Sequence, residues 1–130
     1  METVIALFVE KEARVLFLEN ASDLERVFYE LPSGSVYPNE SQQQALQRIL
    51  METVRLSLKE VVRLLTYKER IKEGETTRTI YFIVDIHDPE DIILNKHRGF
   101  GWVEPKEAFG YPIKEELREI LDLYLKIKQL

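Results

Sequence analysis

The sequence contains no cysteine, which excludes disulfide bridges, thiolate zinc sites and cysteine nucleophiles. It also lacks an apolar run of the roughly 18 residues that a membrane-spanning helix needs. No basic leader precedes the apolar stretch at residues 4–9, which argues against a secretory signal peptide. We therefore expect a cytoplasmic protein that has no membrane partner.

The sequence has fewer basic than acidic residues, 18 against 23, and its net charge is -5. Proteins gain much of their affinity for nucleic acids by neutralising phosphates with Lys and Arg. We therefore expect no nucleic-acid polymer as a partner, whereas a small phosphorylated ligand is compatible with a local basic cluster.

The length of 130 residues suits one domain over residues 1–130, and 45% apolar residues are enough for a core. The Pro, Gly and charge pattern predicts loops at 20–25 and 87–91 and turns at 10–12 and 68–75. We predict strands at 3–9, 14–18, 27–31, 60–67, 76–86 and 100–103. Helices are predicted at 41–55 and from 113 to the end, with one helical turn at 104–109. This alternation predicts an α/β domain in which helices pack on a mixed sheet.

The helix at 41–55 carries the clearest local signals. Ser41 and Gln44 form a capping-box pattern. Apolar residues then recur at helical spacing, which predicts a buried stripe of Ala45, Leu46, Ile49, Leu50 and Val54. The last helix has a similar stripe of Ile113, Leu117, Ile120, Leu121, Tyr124 and Ile127.

A spaced motif spans this first helix. Gly34 is followed after five residues by Glu40, and seven residues later by Arg48. Leu50, Glu52 and Leu56 follow at fixed intervals. This arrangement resembles the box of the Nudix (MutT-like) hydrolase superfamily, which is a glycine, five residues, a glutamate, seven residues, and then Arg-Glu-aliphatic-any-Glu-Glu-any-Gly-aliphatic. The positions that depart from that pattern are Ile49, Thr53 and Arg55.

The flanking residues extend the resemblance over nearly the whole chain. The segment 31–34, Leu-Pro-Ser-Gly, is similar to the family's lead-in, and Asn39 stands where many members have glycine, since Asn tolerates a left-handed backbone. His97 and Trp102 resemble the His-x-x-x-x-Trp segment of the diadenosine-polyphosphate hydrolases. The resemblance implies the Nudix fold, a mixed β-sheet sandwiched between helices.

The family's chemistry, as the resemblance implies, uses glutamates on the box helix to hold Mg²⁺, which neutralises phosphate charge and activates water. Glu52 and Glu40 would be the metal-binding acids, and Arg48 would fix the junction between loop and helix. The resemblance places two further carboxylates at positions occupied here by Ile49 and Thr53. Lys96 stands where the diadenosine-type members often carry a glutamate, and Ser33 replaces their lead-in lysine.

The same residues also have structural interpretations. Glu52 could pair with Arg48 and Arg55, which lie on its helix face. Glu40 is expected to stabilise the positive end of the helix, and Gly34 is expected to serve a turn with unusual backbone angles. As ligand-binding candidates we name Arg78 and Lys96, although solvated surface charge is the default for both.

Three hypotheses follow. The first is a Nudix-fold protein with weak or absent hydrolase activity that binds a nucleotide-like phosphorylated ligand or a partner. The second is an active Mg²⁺-dependent pyrophosphohydrolase of nucleoside diphosphate-linked substrates, such as diadenosine polyphosphates, in which Glu30 or another strand-borne acid completes a relocated ligand set. The third is a structural or assembly role as a homodimer.

Overall fold

The structure is a computed structural model that describes residues 1–20, 26–87 and 91–129. The loops predicted at 20–25 and 87–91 therefore lie mostly outside the described residues. Within those residues, no helix is long and apolar enough to cross a membrane.

The described residues form a seven-stranded mixed sheet. Its strands are β1 (Glu2–Lys11), β2 (Arg14–Glu19), β3 (Tyr29–Glu30), β4 (Ser33–Ser35), β5 (Leu58–Lys72), β6 (Glu75–Ile86) and β7 (Gly99–Val103). Its central strand, β1, runs parallel to β6, and the strand order is β3-β2-β1-β6-β5. β4 pairs with β1 and β7 pairs with β2, both antiparallel.

The two hairpins turn at different residues from those predicted. Between β1 and β2 the positive-φ pair is Glu12 and Ala13, and between β5 and β6 it is Glu73 and Gly74. Two-residue turns with positive φ match the twist of the flanking strands. The predicted eight-residue turn at 68–75 is wrong, because its charged residues extend the two strands instead of leaving them.

The strand predicted at 27–31 is shorter in the structure, where only Tyr29 and Glu30 pair with β2. The next segment, predicted to end that strand, instead forms β4, with Gly34 opposite Ile5. The Leu7 N–H of β1 donates to the Pro32 carbonyl at 2.9 Å, which holds the short connection between β3 and β4 against β1. The box glycine is thus part of the sheet.

Both predicted helices are confirmed. The first, α1 (Gln42–Val54), begins with the capping box: the Ser41 hydroxyl accepts from the Gln44 N–H at 3.1 Å, and the Gln44 side chain accepts from the Ser41 N–H at 2.9 Å. The second, α2 (Glu115–Lys128), closes the chain after a 3-10 helix at Pro105–Gly110.

Each face of the sheet carries its own apolar core, and one helix covers each. Ile5, Leu7 and Val9 of β1 pack with the buried face of α1. The alternate residues Ala6 and Phe8 pack with α2. β6 follows the same alternation, which confirms the prediction of a strand that is apolar on both faces. The architecture is the predicted α/β sandwich, a mixed sheet between helices.

Candidate active site on the first helix

The loop that leads into α1 holds the first part of the site. Asn39 adopts a left-handed backbone with φ 65, which confirms its interpretation as a substitute for glycine. The Glu40 N–H donates to the Tyr37 carbonyl at 3.1 Å, and the Tyr37 N–H donates to Glu40 Oε1 at 3.0 Å. These reciprocal bonds make a tight turn that turns the Glu40 carboxylate toward Arg48.

Arg48 is the centre of the polar network. Its Nε donates to Glu40 Oε2 at 2.7 Å and its Nη2 donates to Glu40 Oε1 at 3.0 Å, a bidentate pair. Nη2 also donates to the Ser35 carbonyl at 2.5 Å, and the guanidinium lies 3.8 Å from the centroid of the Tyr37 ring. Arg48 therefore joins β4, the entry loop and α1, as the resemblance implies for the junction.

The proton affinities of this pair reflect their contact. The Arg48 side chain, followed by the Tyr37 N–H, lowers the pKa of Glu40 below its ordinary value. The hydrogen-bonded Glu40 carboxylate raises the pKa of Arg48. Both groups are charged at neutral pH. Glu40 acts by anchoring Arg48 and the Tyr37 turn, in addition to its predicted place near the start of the helix.

Glu52, the other acid of the box, also faces Arg48. Arg48 Nη1 donates to Glu52 Oε2 at 3.1 Å, while the Glu52 side chain is 52% exposed. Among the described residues, Arg55 makes no ion pair with Glu52, so that half of the predicted pairing is wrong. Arg55 instead caps α1 in a left-handed conformation with φ 59, at the position where the Nudix box has glycine.

The two positions at which the box lacks acids are engaged in scaffold contacts. Ile49 is only 1% exposed, as predicted, and lies against Gly34. A Cβ added at Gly34 would lie 2.9 Å from Ile49 Cγ1. Gly34 has no positive φ, so the prediction of unusual backbone angles is wrong, and its need for glycine comes from this close approach. The Thr53 hydroxyl donates to the Ile49 carbonyl at 2.6 Å.

The box residues leave few free carboxylates for a metal ion. Mg²⁺ prefers several hard oxygen ligands in near-octahedral geometry. Here both box glutamates are paired with one guanidinium, and the neighbouring positions offer a butyl group and a hydroxyl bound to the backbone. In residues 1–20, 26–87 and 91–129, no group of three or more His, Asp or Glu side chains is arranged to hold a metal.

Glu30, suggested above as a replacement ligand, belongs to a different cluster. Its Oε1 lies 2.9 Å from His97 Nε2 and accepts from Asn20 Nδ2 at 3.0 Å. These contacts tie β3 to the segment before β7. The Glu30–His97 pair could not be predicted from the sequence, because the residues are 67 positions apart and share no local pattern.

The two predicted ligand contacts lie apart from the helix network. The Arg78 guanidinium pairs with Glu69 at 2.6 Å and lies 5.2 Å from the Tyr67 ring centroid, on the β5–β6 hairpin. Lys96 is exposed and makes no ion pair with the described part of the chain. Neither residue lines the cavity that lies between the sheet and the start of α2.

A cavity of about 180 Å³ opens between the sheet and the start of α2. Its wall combines aromatic rings, apolar strand residues and a few charges, including Phe28, Tyr29, Tyr81, Glu30, Lys114 and Glu116. Burial, and then the nearby Glu116 carboxylate, raise the pKa of Tyr81. Arg70 holds Glu116 at 2.7 Å. The sequence alone did not indicate this cavity, since it forms from four separate segments.

Comparisons with known proteins agree with this geometry. A relative from Escherichia coli (strain K12) named CTP pyrophosphohydrolase is 22% identical over 129 residues, which are 98% of this chain and 94% of the relative. The solution structure of the E. coli ORF135 protein shares the fold with a TM-score of 0.87 at 24% identity, covering 99% of this chain and 91% of its own. A C. elegans Ap4A hydrolase binary complex matches with a TM-score of 0.75 at 21% identity, covering 98% and 97%.

The chain also matches a protein-family model. The NUDIX domain family model matches residues 1–124, which includes the sheet, the box helix and most of α2. The spaced motif, the sandwich fold and this match agree, and the chain belongs to the Nudix family.

Proposed function

We propose that this chain is a Nudix protein with weak or absent hydrolase activity that binds a nucleotide-like phosphorylated ligand. One observation carries the proposal. Ile49 is buried against Gly34 and Thr53 donates to the Ile49 carbonyl, so the helix edge between them presents no carboxylate.

The charge balance supports the same proposal. The two box carboxylates, Glu40 and Glu52, both lie within 3.1 Å of the Arg48 guanidinium. A divalent cation would have to displace this arginine or bind beside it, and like charges repel. With only Glu52 substantially exposed, we expect Mg²⁺ to bind weakly to the helix.

The cavity beside α2 supports the ligand part of the proposal. Small-molecule sites are concave, mostly apolar and aromatic, with a few placed polar groups. Phe28, Tyr29 and Tyr81 supply rings, while Lys114 and Glu116 supply charges. The name of the E. coli relative, CTP pyrophosphohydrolase, makes CTP the first ligand to test.

A second candidate function is an active Mg²⁺-dependent pyrophosphohydrolase acting on nucleoside diphosphate-linked substrates such as diadenosine polyphosphates. The exposure of Glu52 and the similarity to an Ap4A hydrolase favour it. It requires acids from outside the box. Glu30 would have to leave its contacts with His97 and Asn20 to take part.

One experiment separates the two functions. Binding of CTP and of diadenosine tetraphosphate is measured calorimetrically with Mg²⁺ and again with a chelator, and product release is followed in parallel. We expect one of the two nucleotides to bind equally under both conditions, with turnover well below about 1 s⁻¹.

The matched control is Glu52→Gln, which keeps the shape of the side chain and removes its charge. It should leave nucleotide binding unchanged. Turnover of about 1 s⁻¹ or faster that depends on Mg²⁺ and disappears in Glu52→Gln would overturn the first function and establish the second. Absence of binding to either nucleotide under both conditions would contradict both.

A further inference from the structure

Strand β5 forms an open edge of the sheet. Within the described part of the chain it is last in the strand order and pairs along one side only, with β6. It is also the longest strand, with 15 residues, whereas the opposite edge strand β3 has two. An unpaired edge presents free N–H and C=O groups that can pair with another strand.

The side chains along this edge do little to block such pairing. Val62, Leu64, Tyr67 and Ile71 are exposed although they are apolar. Projecting lysines commonly protect edges, but Arg70 is drawn back onto Glu116 at 2.7 Å. Lys68 makes only a long, exposed contact with Glu119 at 3.5 Å, which leaves it able to face a carboxylate of another strand. β5 also contains no proline.

We propose that β5 pairs antiparallel with β5 of a second copy of this chain, giving a two-fold symmetric homodimer with one continuous sheet. A two-fold interface must be self-complementary. Apolar residues near the axis and opposite charges further out would satisfy that requirement, and β5 carries both.

Positions along β5 are counted by the residues of β6 that they pair with in the same chain, because the pairing is irregular at Val62 and Leu65. Leu64 lies opposite Phe82, with Thr66 and Arg63 opposite the residues on either side of it. An axis through Leu64 therefore sets Leu64 against itself, Tyr67 against Val61, and Lys68 against Glu60.

These pairs have the right chemistry on both faces. Leu64, Tyr67 and Val61 lie opposite Phe82, Ile80 and Val84, which are residues of the α1 side of the sheet, so they form one apolar cluster about the axis. Lys68 and Glu60 lie on the other face, where they oppose each other with unlike charge. No like-charged residues face each other in this register.

The neighbouring registers are less favourable. An axis through Arg63 sets that residue against its own copy. An axis through Thr66 sets Arg63 against Lys68, and one through Tyr67 sets Arg63 against Arg70. Like charges directly opposite each other destabilise a strand pair, so an axis through Leu64 is favoured over these three.

The first test measures mass by light scattering after size exclusion on the full chain without ligand or metal. We expect twice the chain mass of 15.4 kDa. Leu64→Lys should give the mass of one chain. Ile71→Lys is the matched control, because Ile71 is exposed on the same strand but lies beyond the overlapping segment; it should keep the dimer. A monomeric wild type, or a dimer unaffected by Leu64→Lys, would overturn the proposal.

The second test locates the axis and uses the absence of native cysteine. Residues facing each other on antiparallel strands have Cα atoms about 4.5–5.5 Å apart, within disulfide range. Leu64→Cys should therefore crosslink on oxidation while Ile71→Cys stays uncrosslinked. The reverse pattern would contradict this register.

Charge reversal tests the pairing on the other face. Glu60→Lys should raise the dissociation constant of the dimer by roughly tenfold, since it occurs twice in the interface. Adding Lys68→Glu should restore it. If both variants dissociate alike, Glu60 and Lys68 do not face each other and the register is wrong.

Discussion

The contact between Gly34 and Ile49 yields a prediction that can be worked out from the structure. In Gly34→Ala the new methyl group would lie 2.9 Å from Ile49 Cγ1 and 3.4 Å from Cδ1. Neither side can move freely. Gly34 is paired with Ile5 in the sheet, and a β-branched side chain in a helix has essentially one χ1 rotamer.

The expected cost follows from two opposing effects. Overpacking a well-packed core destabilises by about 1–3 kcal/mol. Replacing glycine lowers the entropy of the unfolded chain, which offsets about 0.4–1 kcal/mol. We therefore expect Gly34→Ala to lower the free energy of unfolding by about 1–2 kcal/mol.

A double-mutant cycle in urea checks this reasoning. Ile49→Ala removes the atoms that clash and should cost about 2–5 kcal/mol by itself. In that background, Gly34→Ala should cost nothing or stabilise, which gives a coupling of at least about 1 kcal/mol. If Gly34→Ala costs the same in both backgrounds, the glycine is required for some reason other than its approach to Ile49.

Three further predictions concern the same helix. Arg55→Gly should raise the free energy of unfolding by about 0.5–1 kcal/mol, since the left-handed cap at φ 59 suits glycine, and thermal denaturation would detect it. The pKa of Glu40 is lowered in the folded chain, so its ionised form contributes stability that is fully present above the ordinary glutamate pKa and is lost as pH falls through the folded value. The free energy of unfolding, measured in urea at a series of acidic pH values, should therefore fall over this range in wild type. The fall should be smaller in Glu40→Gln. The variant Ile49→Glu/Thr53→Glu should bind Mg²⁺ more tightly in calorimetry but unfold more easily, because position 49 is buried.

Local sequence signals were enough to predict the helices and most strands. Ser41 and Gln44 marked the start of α1, and the apolar spacing identified its buried face, since both effects act within a few residues. The alternation of Ile80–Val84 likewise predicted a strand covered on both faces.

Features that depend on distant partners were not predictable in this way. The charged residues Lys68 and Arg70 suggested a turn, but in the fold they reach carboxylates on α2, 51 and 46 positions away. β4 was missed because Ser33–Ser35 has no strand pattern and gains its place by pairing with β1.

The candidate site was predicted in part. The pairing of Arg48 with Glu52 was one of the interpretations of the sequence, and the structure contains it, whereas the pairing of Arg48 with Glu40 was not predicted. The reason for Gly34 was wrong, because the sequence could not reveal that the glycine lies against Ile49. The cavity beside α2 escaped prediction because its wall forms only when β1, β3, β6 and α2 come together.

Titration of the chain with Mn²⁺, in which the free ion is detected by electron paramagnetic resonance, tests most directly whether the box helix binds a divalent metal. A helix edge formed by Ile49 and Thr53, beside glutamates held by Arg48, should bind the ion no more tightly than the millimolar range, with Glu52→Gln behaving like wild type. Micromolar binding that Glu52→Gln abolishes would show that the box helix holds a metal after all.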